Sequence, residues 1–72
     1  MEKNTELLKL ADRIKSTRLD KNLSQEELAN MCNFDRTYIS LLERAKRNPS
    51  YFNLLKLSVG LNISLSQLLK DL

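Results

Sequence analysis

Seventy-two residues weighing 8.4 kDa make one domain at most, and with 42% hydrophobic residues, 29% charged residues and a net charge of +3 the composition is that of a globular chain. The single cysteine, Cys32, allows no intrachain disulfide, and the absence of histidine removes the commonest general base and the commonest metal ligand. No apolar run approaches the ~20 residues of a membrane span and residues 1–6 lack a signal-peptide core, so catalysis, a metal site, secretion and membrane insertion are all disfavoured, and a cytoplasmic setting is expected.

One glycine and one proline leave little room for tight β-hairpins, and no segment alternates with period two for long, so an all-α fold is predicted. Leu7, Leu10, Ala11, Ile14 and Arg18 fall on one stripe of helical period. They mark a first helix of about sixteen residues, starting after Asn4 or Thr5 and ending near Asn22, a residue that suits the left-handed end of a helix. Ser24 and Glu27 then form a capping box, with Leu23 and Leu28 at the hydrophobic-staple positions, and open a second helix that ends near residues 31–33. Asp35 is placed to cap a third helix, residues 36–44, with Ile39 and Leu42 inward and Tyr38 at one edge. A basic loop, residues 45–49, follows. Ser50 caps a fourth helix whose inward residues are Leu54, Leu55, Leu57, Ser58 and Leu61, and Asn62 breaks it. Ser64 with Gln67, flanked by Ile63 and Leu68, repeats the capping box and staple and opens a fifth helix to the C-terminus. The prediction is a compact five-helix bundle over residues 1–72, of low contact order.

The entire excess of positive charge lies between residues 34 and 56, where Arg36, Arg44, Lys46, Arg47 and Lys56 outnumber Asp35 and Glu43, while the flanking segments are neutral. On charge alone this is equally a polyanion-binding face and a solvated loop. The second and third helices are separated by about three residues, and Ala29 offers a small side chain where the third helix must cross steeply. That is a helix-turn-helix over about residues 24–44, a motif that lays its second helix in the DNA major groove.

Ser24-Gln25-Glu26-Glu27-Leu28-Ala29, Ile39-Ser40, Leu42-Glu43-Arg44, Lys46-Arg47-Asn48-Pro49-Ser50 and Leu54-Leu55-Lys56-Leu57, in that order, resemble the Cro/repressor helix-turn-helix family (the XRE-like group) across about residues 13–69. Within it, Asp35-Arg36-Thr37-Tyr38-Ile39-Ser40 and the small size look most like the controller proteins of restriction–modification systems. The resemblance implies a lambda-repressor-like fold and a sequence-specific regulator of bacterial or phage origin that binds double-stranded DNA. Two positions depart from the family pattern: Asn33 and Ala45 stand where it favours glycine. Asparagine also tolerates positive φ. Alanine resists it by ~1 kcal/mol or more, so either the basic loop takes another path or the strain is tolerated.

Arg36 and Thr37 begin the third helix, where a recognition helix meets base edges, and an arginine there donates twice to guanine. The plainer reading of Arg36 is a solvated side chain beside Asp35, and of Thr37 a first-turn residue. Ser40 and Leu41 lie one turn on, with Leu41 suited to a thymine methyl or simply a surface leucine. Tyr38 reads as a backbone contact or as packing. The resemblance implies that Gln25, at a helix N-terminus with free amides, binds a phosphate, and that Arg44, Lys46, Arg47 and Asn48 grip the strand on the other side of the groove. Arg18 and Glu43 are charged residues on apolar stripes, and the resemblance implies that they pair structurally. Glu26 suits the helix dipole, while its match to the acidic surface of transcription-activating relatives suggests RNA polymerase as a further partner.

Leu61, Ile63, Leu65, Leu68, Leu69 and Leu72 exceed what one buried face needs, and surplus apolar surface predicts an isologous homodimer through residues 61–72, with Tyr51 and Phe52 at its rim. The bland alternative is that these leucines only close the core. Cys32 reads as a small buried apolar residue. A homodimeric transcription regulator on a palindromic operator is therefore expected, with no cofactor, metal, membrane or reaction. The rival is a protein-interaction module on the same fold, such as an antitoxin or phage adaptor.

Overall fold

The stripe that marks the first helix becomes α1 (Thr5–Asp20) in a computed structural model that describes residues 5–72. It buries Ala11, Ile14 and Arg18 and leaves Leu7 and Leu10 half-buried. The part of the expected helix start that falls on Asn4 lies outside the described residues. Four more helices follow: α2 (Gln25–Cys32), α3 (Arg36–Glu43), α4 (Tyr51–Gly60) and α5 (Leu65–Leu68). No strand occurs among the described residues.

The helix starts follow the side chains written beside them. Ser24 Oγ accepts from Glu27 N–H at 3.0 Å while Glu27 Oε1 accepts from Ser24 N–H at 2.8 Å. Ser64 and Gln67 repeat the exchange at 3.0 Å each way, and Ser50 Oγ accepts from Asn53 N–H at 3.1 Å. Each bond satisfies an amide that has no partner within its helix. Asp35 differs from expectation: it holds the N-cap position of α3 without a side-chain cap bond.

The ends of α1 to α4 share one device. Asn22, Asn33, Ala45 and Asn62 all take φ between 57° and 61°. In each case the next amide reaches back five residues: Leu23 to Arg18, Phe34 to Ala29, Lys46 to Leu41 and Ile63 to Ser58, at 2.8 to 3.1 Å. This is the Schellman closure. Ala45 therefore tolerates the strain rather than redirecting the loop.

The core joins Ile14 of α1, Leu28, Ala29 and Cys32 of α2, Ile39 and Leu42 of α3, and Leu57 of α4 with Leu61 and Leu68. Each fully buried leucine or isoleucine contributes about 1.5–3 kcal/mol of transfer free energy. The one glycine is not at a turn. Gly60 ends α4 against α2, and a Cβ there would overlap Cys32 Sγ and lie 3.4 Å from Leu28 Cδ1.

α5 is shorter than expected. Only Leu65–Leu68 are helical, and Asp71 at φ 62° turns the chain. Arg13 of α1 clamps this end. Its Nη1 donates to the carbonyls of Gln67 and Leu68 at 3.1 Å each, and its Nη2 donates to Lys70 at 2.9 Å. Those carbonyls are tied sideways to α1, while the chain itself closes in tighter turns, Lys70 N–H to Gln67 at 3.4 Å and Leu72 N–H to Leu69 at 3.1 Å.

Candidate nucleic-acid interface

α2 and α3 meet through Leu28, Ala29, Ile39 and Leu42, all buried. With that face committed, α3 turns its first residues outward: Arg36 and Thr37 are exposed. Ser40 and Leu41, one turn along, are half-buried, so Leu41 presents only part of its side chain. Arg44, Lys46, Arg47 and Asn48 are exposed beyond the end of α3. The Ala45 closure sets their direction, with Lys46 N–H donating to Leu41 at 2.9 Å.

Behind this surface lies a buried polar network. Arg18 Nε donates to Glu43 Oε2 at 2.6 Å and Arg18 Nη2 to Glu43 Oε1 at 3.0 Å, with side chains only 9% and 3% exposed. Arg18 Nη1 closes the end of α1 by donating to the Leu23 carbonyl at 2.8 Å. The hydrogen bond to Glu43 is the main cause that raises the Arg18 pKa above its ordinary value, against the opposing effect of burial. Gln25 joins the network from α2, its Nε2 donating to Glu43 Oε1 at 3.1 Å. One amide hydrogen and the carbonyl oxygen of Gln25 remain beyond that bond. Glu26 beside it is exposed in the first turn of α2.

Tyr38 sits in a stack that sequence reasoning missed. Its ring meets Phe34 edge-on, centroids 4.8 Å apart. The Arg47 guanidinium lies 5.4 Å from the Tyr38 centroid, and the Lys56 ammonium lies 4.6 Å from that of Phe34. Two cations, one from the loop and one from α4, are thus held by two aromatic faces. Asn53 Nδ2 of α4 donates to the Tyr38 hydroxyl at 2.9 Å. Tyr38 and Asn53 both line a surface notch of about 390 Å³, together with Asn33, Phe34 and Asp35. Nothing in the local pattern singles out Phe34, Asn53 or Lys56, because their partners lie on other elements.

The apolar C-terminal residues divide in two. Leu61 and Leu68 are 0% exposed and fill the protomer's own core, which corrects their expected place at a dimer contact. Ile63, Leu65, Leu69 and Leu72 are half-buried and keep some surface. The largest open apolar side chains on α4 are Tyr51, Phe52 at 74% and Val59 at 76% exposure. Cys32 is buried under Gly60, and burial pushes its thiol up to about 11, against smaller opposing effects of the Lys56 charge and a Gly60 backbone hydrogen bond.

Among the described residues no group of three His, Cys, Asp or Glu is placed to hold a metal, and no helix is long and apolar enough to cross a membrane. A helix-turn-helix family model matches residues 14–68. Control protein C.MunI of Mycoplasma sp is 44% identical, with 90% of this chain and 89% of that protein covered. Among solved structures, the restriction-modification controller protein C.AhdI of Aeromonas hydrophila superposes with TM-score 0.84 at 42% identity, covering 86% of this chain and 94% of the other. A chain of the restriction-modification controller protein C.Esp1396I, from the structure of its tetramer in complex with its natural 35 base-pair operator, superposes with TM-score 0.86 at 38% identity, covering 93% of this chain and 92% of the other.

Proposed function

The chain belongs to the helix-turn-helix family of restriction–modification control proteins, and from that premise we propose that it is a sequence-specific double-stranded DNA-binding transcription regulator of a restriction–modification operon. The observation that carries this reading is the exposed start of α3, Arg36 and Thr37, anchored from behind by the buried core of α2 and α3 and followed by the exposed cations Arg44, Lys46 and Arg47. Arg36 and Thr37 read base edges, with Ser40 and the open part of Leu41 behind them. Gln25, Tyr38, Arg44, Lys46, Arg47 and Asn48 hold the backbone and fix register. The pair Arg18–Glu43 is structural and keeps α3 in place. The chain supplies no chemistry of its own, needs no cofactor and works in the bacterial cytoplasm.

One α3 reaches only a few base pairs. Two copies about a two-fold axis read a palindrome with half-sites ~34 Å apart. That a similar protein is a tetramer on its operator supports self-association here. The surface left for it is Ile63, Leu65, Leu69 and Leu72 together with the open residues of α4, Tyr51, Phe52 and Val59. Glu26, exposed on α2, is the contact we assign to RNA polymerase.

Footprinting on the chain's own upstream region, with wild-type and Arg36→Ala protein, tests the reading. One lost bidentate base contact corresponds to ~1–3 kcal/mol. Arg36→Ala should therefore lose about ten- to a hundredfold in discrimination while sedimenting as the wild-type does. Unchanged DNA behaviour would instead favour a protein-interaction module on this fold.

A further inference from the structure

Taking as given the DNA-binding function proposed above, we infer that Asn53 is a positioning residue for recognition: from α4 it fixes the Tyr38 hydroxyl so that the phenol presents its own proton to the duplex.

Tyr38 is held at three points. Phe34 meets one side of the ring at 4.8 Å and the Arg47 guanidinium stands 5.4 Å from its centroid. These contacts restrain the ring torsions and fix where the oxygen sits. They leave the torsion of the O–H bond, and Asn53 sets it. A tyrosine hydroxyl has one hydrogen to donate and lone pairs to accept with. Asn53 Nδ2 donates at 2.9 Å and takes a lone pair, which leaves the hydrogen to a second acceptor.

Asn53 is itself fixed. It is the third residue of α4, and its N–H is held by Ser50 Oγ at 3.1 Å. The anchor of the Tyr38 proton therefore lies on a different element from the recognition helix, yet at the helix start nearest the basic loop. The notch that Tyr38 and Asn53 both line, about 390 Å³, is large enough for a phosphate. Arg47 over the ring places a positive charge next to the same acceptor. A phenol that already accepts a hydrogen bond is polarised into a better donor. A phosphate oxygen on the duplex is the acceptor this geometry suits, and the Asn53 amide has no need to touch DNA.

The test is a double-mutant cycle on the duplex that wild-type protein enriches from a randomised pool. Tyr38→Phe and Asn53→Ala should each weaken binding about tenfold, the size of one hydrogen bond to a charged acceptor. Asn53→Ala added to Tyr38→Phe should cost less than about twofold more, since the proton it positions is already gone. A purely structural role for Asn53 would weaken both backgrounds alike. Asn53→Asp keeps the helix start sound, because an acid in the first turn suits the dipole. It replaces the donor by an acceptor that draws the phenol proton inward, so it should lose more affinity beside Tyr38 than beside the phenylalanine variant. Thermal melting of all variants excludes unfolding as the cause. Additive losses, or an Asn53→Asp penalty equal in both backgrounds, would overturn the role of Asn53 alone. If wild-type protein enriches no sequence at low ionic strength, the regulatory function fails first and the role of Asn53 with it.

Discussion

Arg18, Glu43 and Cys32 carry polar side-chain groups held inside the fold, and the pair and the thiol each make a measurable difference between folded and unfolded chain. Glu43 accepts from Arg18 twice and from Gln25 once. Glu43→Gln removes the charge but not the volume and leaves the Arg18 guanidinium buried without its counterion, which costs about 3–5 kcal/mol. Urea melts should record a loss of that size, and a paired apolar replacement, Arg18→Met with Glu43→Leu, should recover most of it. A loss under about 1 kcal/mol would mean that water screens the pair as at a surface. Cys32 behaves oppositely to an activated thiol. Its pKa rises from 9.0 in the unfolded chain to about 11 in the fold, so the folded state holds the proton more tightly. Stability is then unaffected by this group below pH 9 and declines as pH rises from 9 toward 11. At pH 8 the thiolate fraction is about a hundredfold lower folded than unfolded. Alkylation by iodoacetamide should therefore be slow on native protein and rapid in denaturant, and equal rates would show that the sulfur is open.

Helix ends carry the second group of consequences. Three of the four left-handed closures use asparagine and one uses Ala45. Alanine pays roughly 1 kcal/mol there, so Ala45→Gly should stabilise the fold by about 0.5–1 kcal/mol despite the added freedom of the unfolded chain. Denaturant midpoints check this, and a destabilised variant would count against the left-handed turn. Arg13→Ala should release the carbonyls of residues 67, 68 and 70 and speed amide exchange in α5 first, with a global loss of about 1–2 kcal/mol. These ends also show what was legible in the sequence. Ser24 with Glu27 and Ser64 with Gln67 declared their helix starts because a capping box spans only four residues. Helices one to four were legible by period, and the ends of the first, second and fourth by asparagine. The length of α5 was not, since Arg13 acts on it from 54 residues or more away. The same limit hid the bond of Asn53 to Tyr38 and the seats of Arg47 and Lys56. Periodicity found Leu61 and Leu68 as apolar but could not separate a protomer's own core from a partner's surface.

The whole molecule combines neutral flanking segments with one basic segment, residues 34–56. The described Cα atoms have a radius of gyration of 11.2 Å, the value of a closed globule of this length, about 11 Å. If each protomer neutralises about five phosphates, the dimer should show a log–log salt slope near −9, about 0.9 per contact. Fluorescence anisotropy between low and moderate salt measures it, and a slope near zero would remove the basic loop from the interface. The network of Arg18, Glu43 and Gln25 has one more consequence at this scale. It bolts α1, α2 and α3 together at the back, so a protomer has little give with which to mould itself to a groove. When two such stiff bodies share one stretch of double helix, any mismatch in spacing falls on the softer component, which is the nucleic acid. Pliable steps between the half-sites then become part of what is selected, though no side chain touches them.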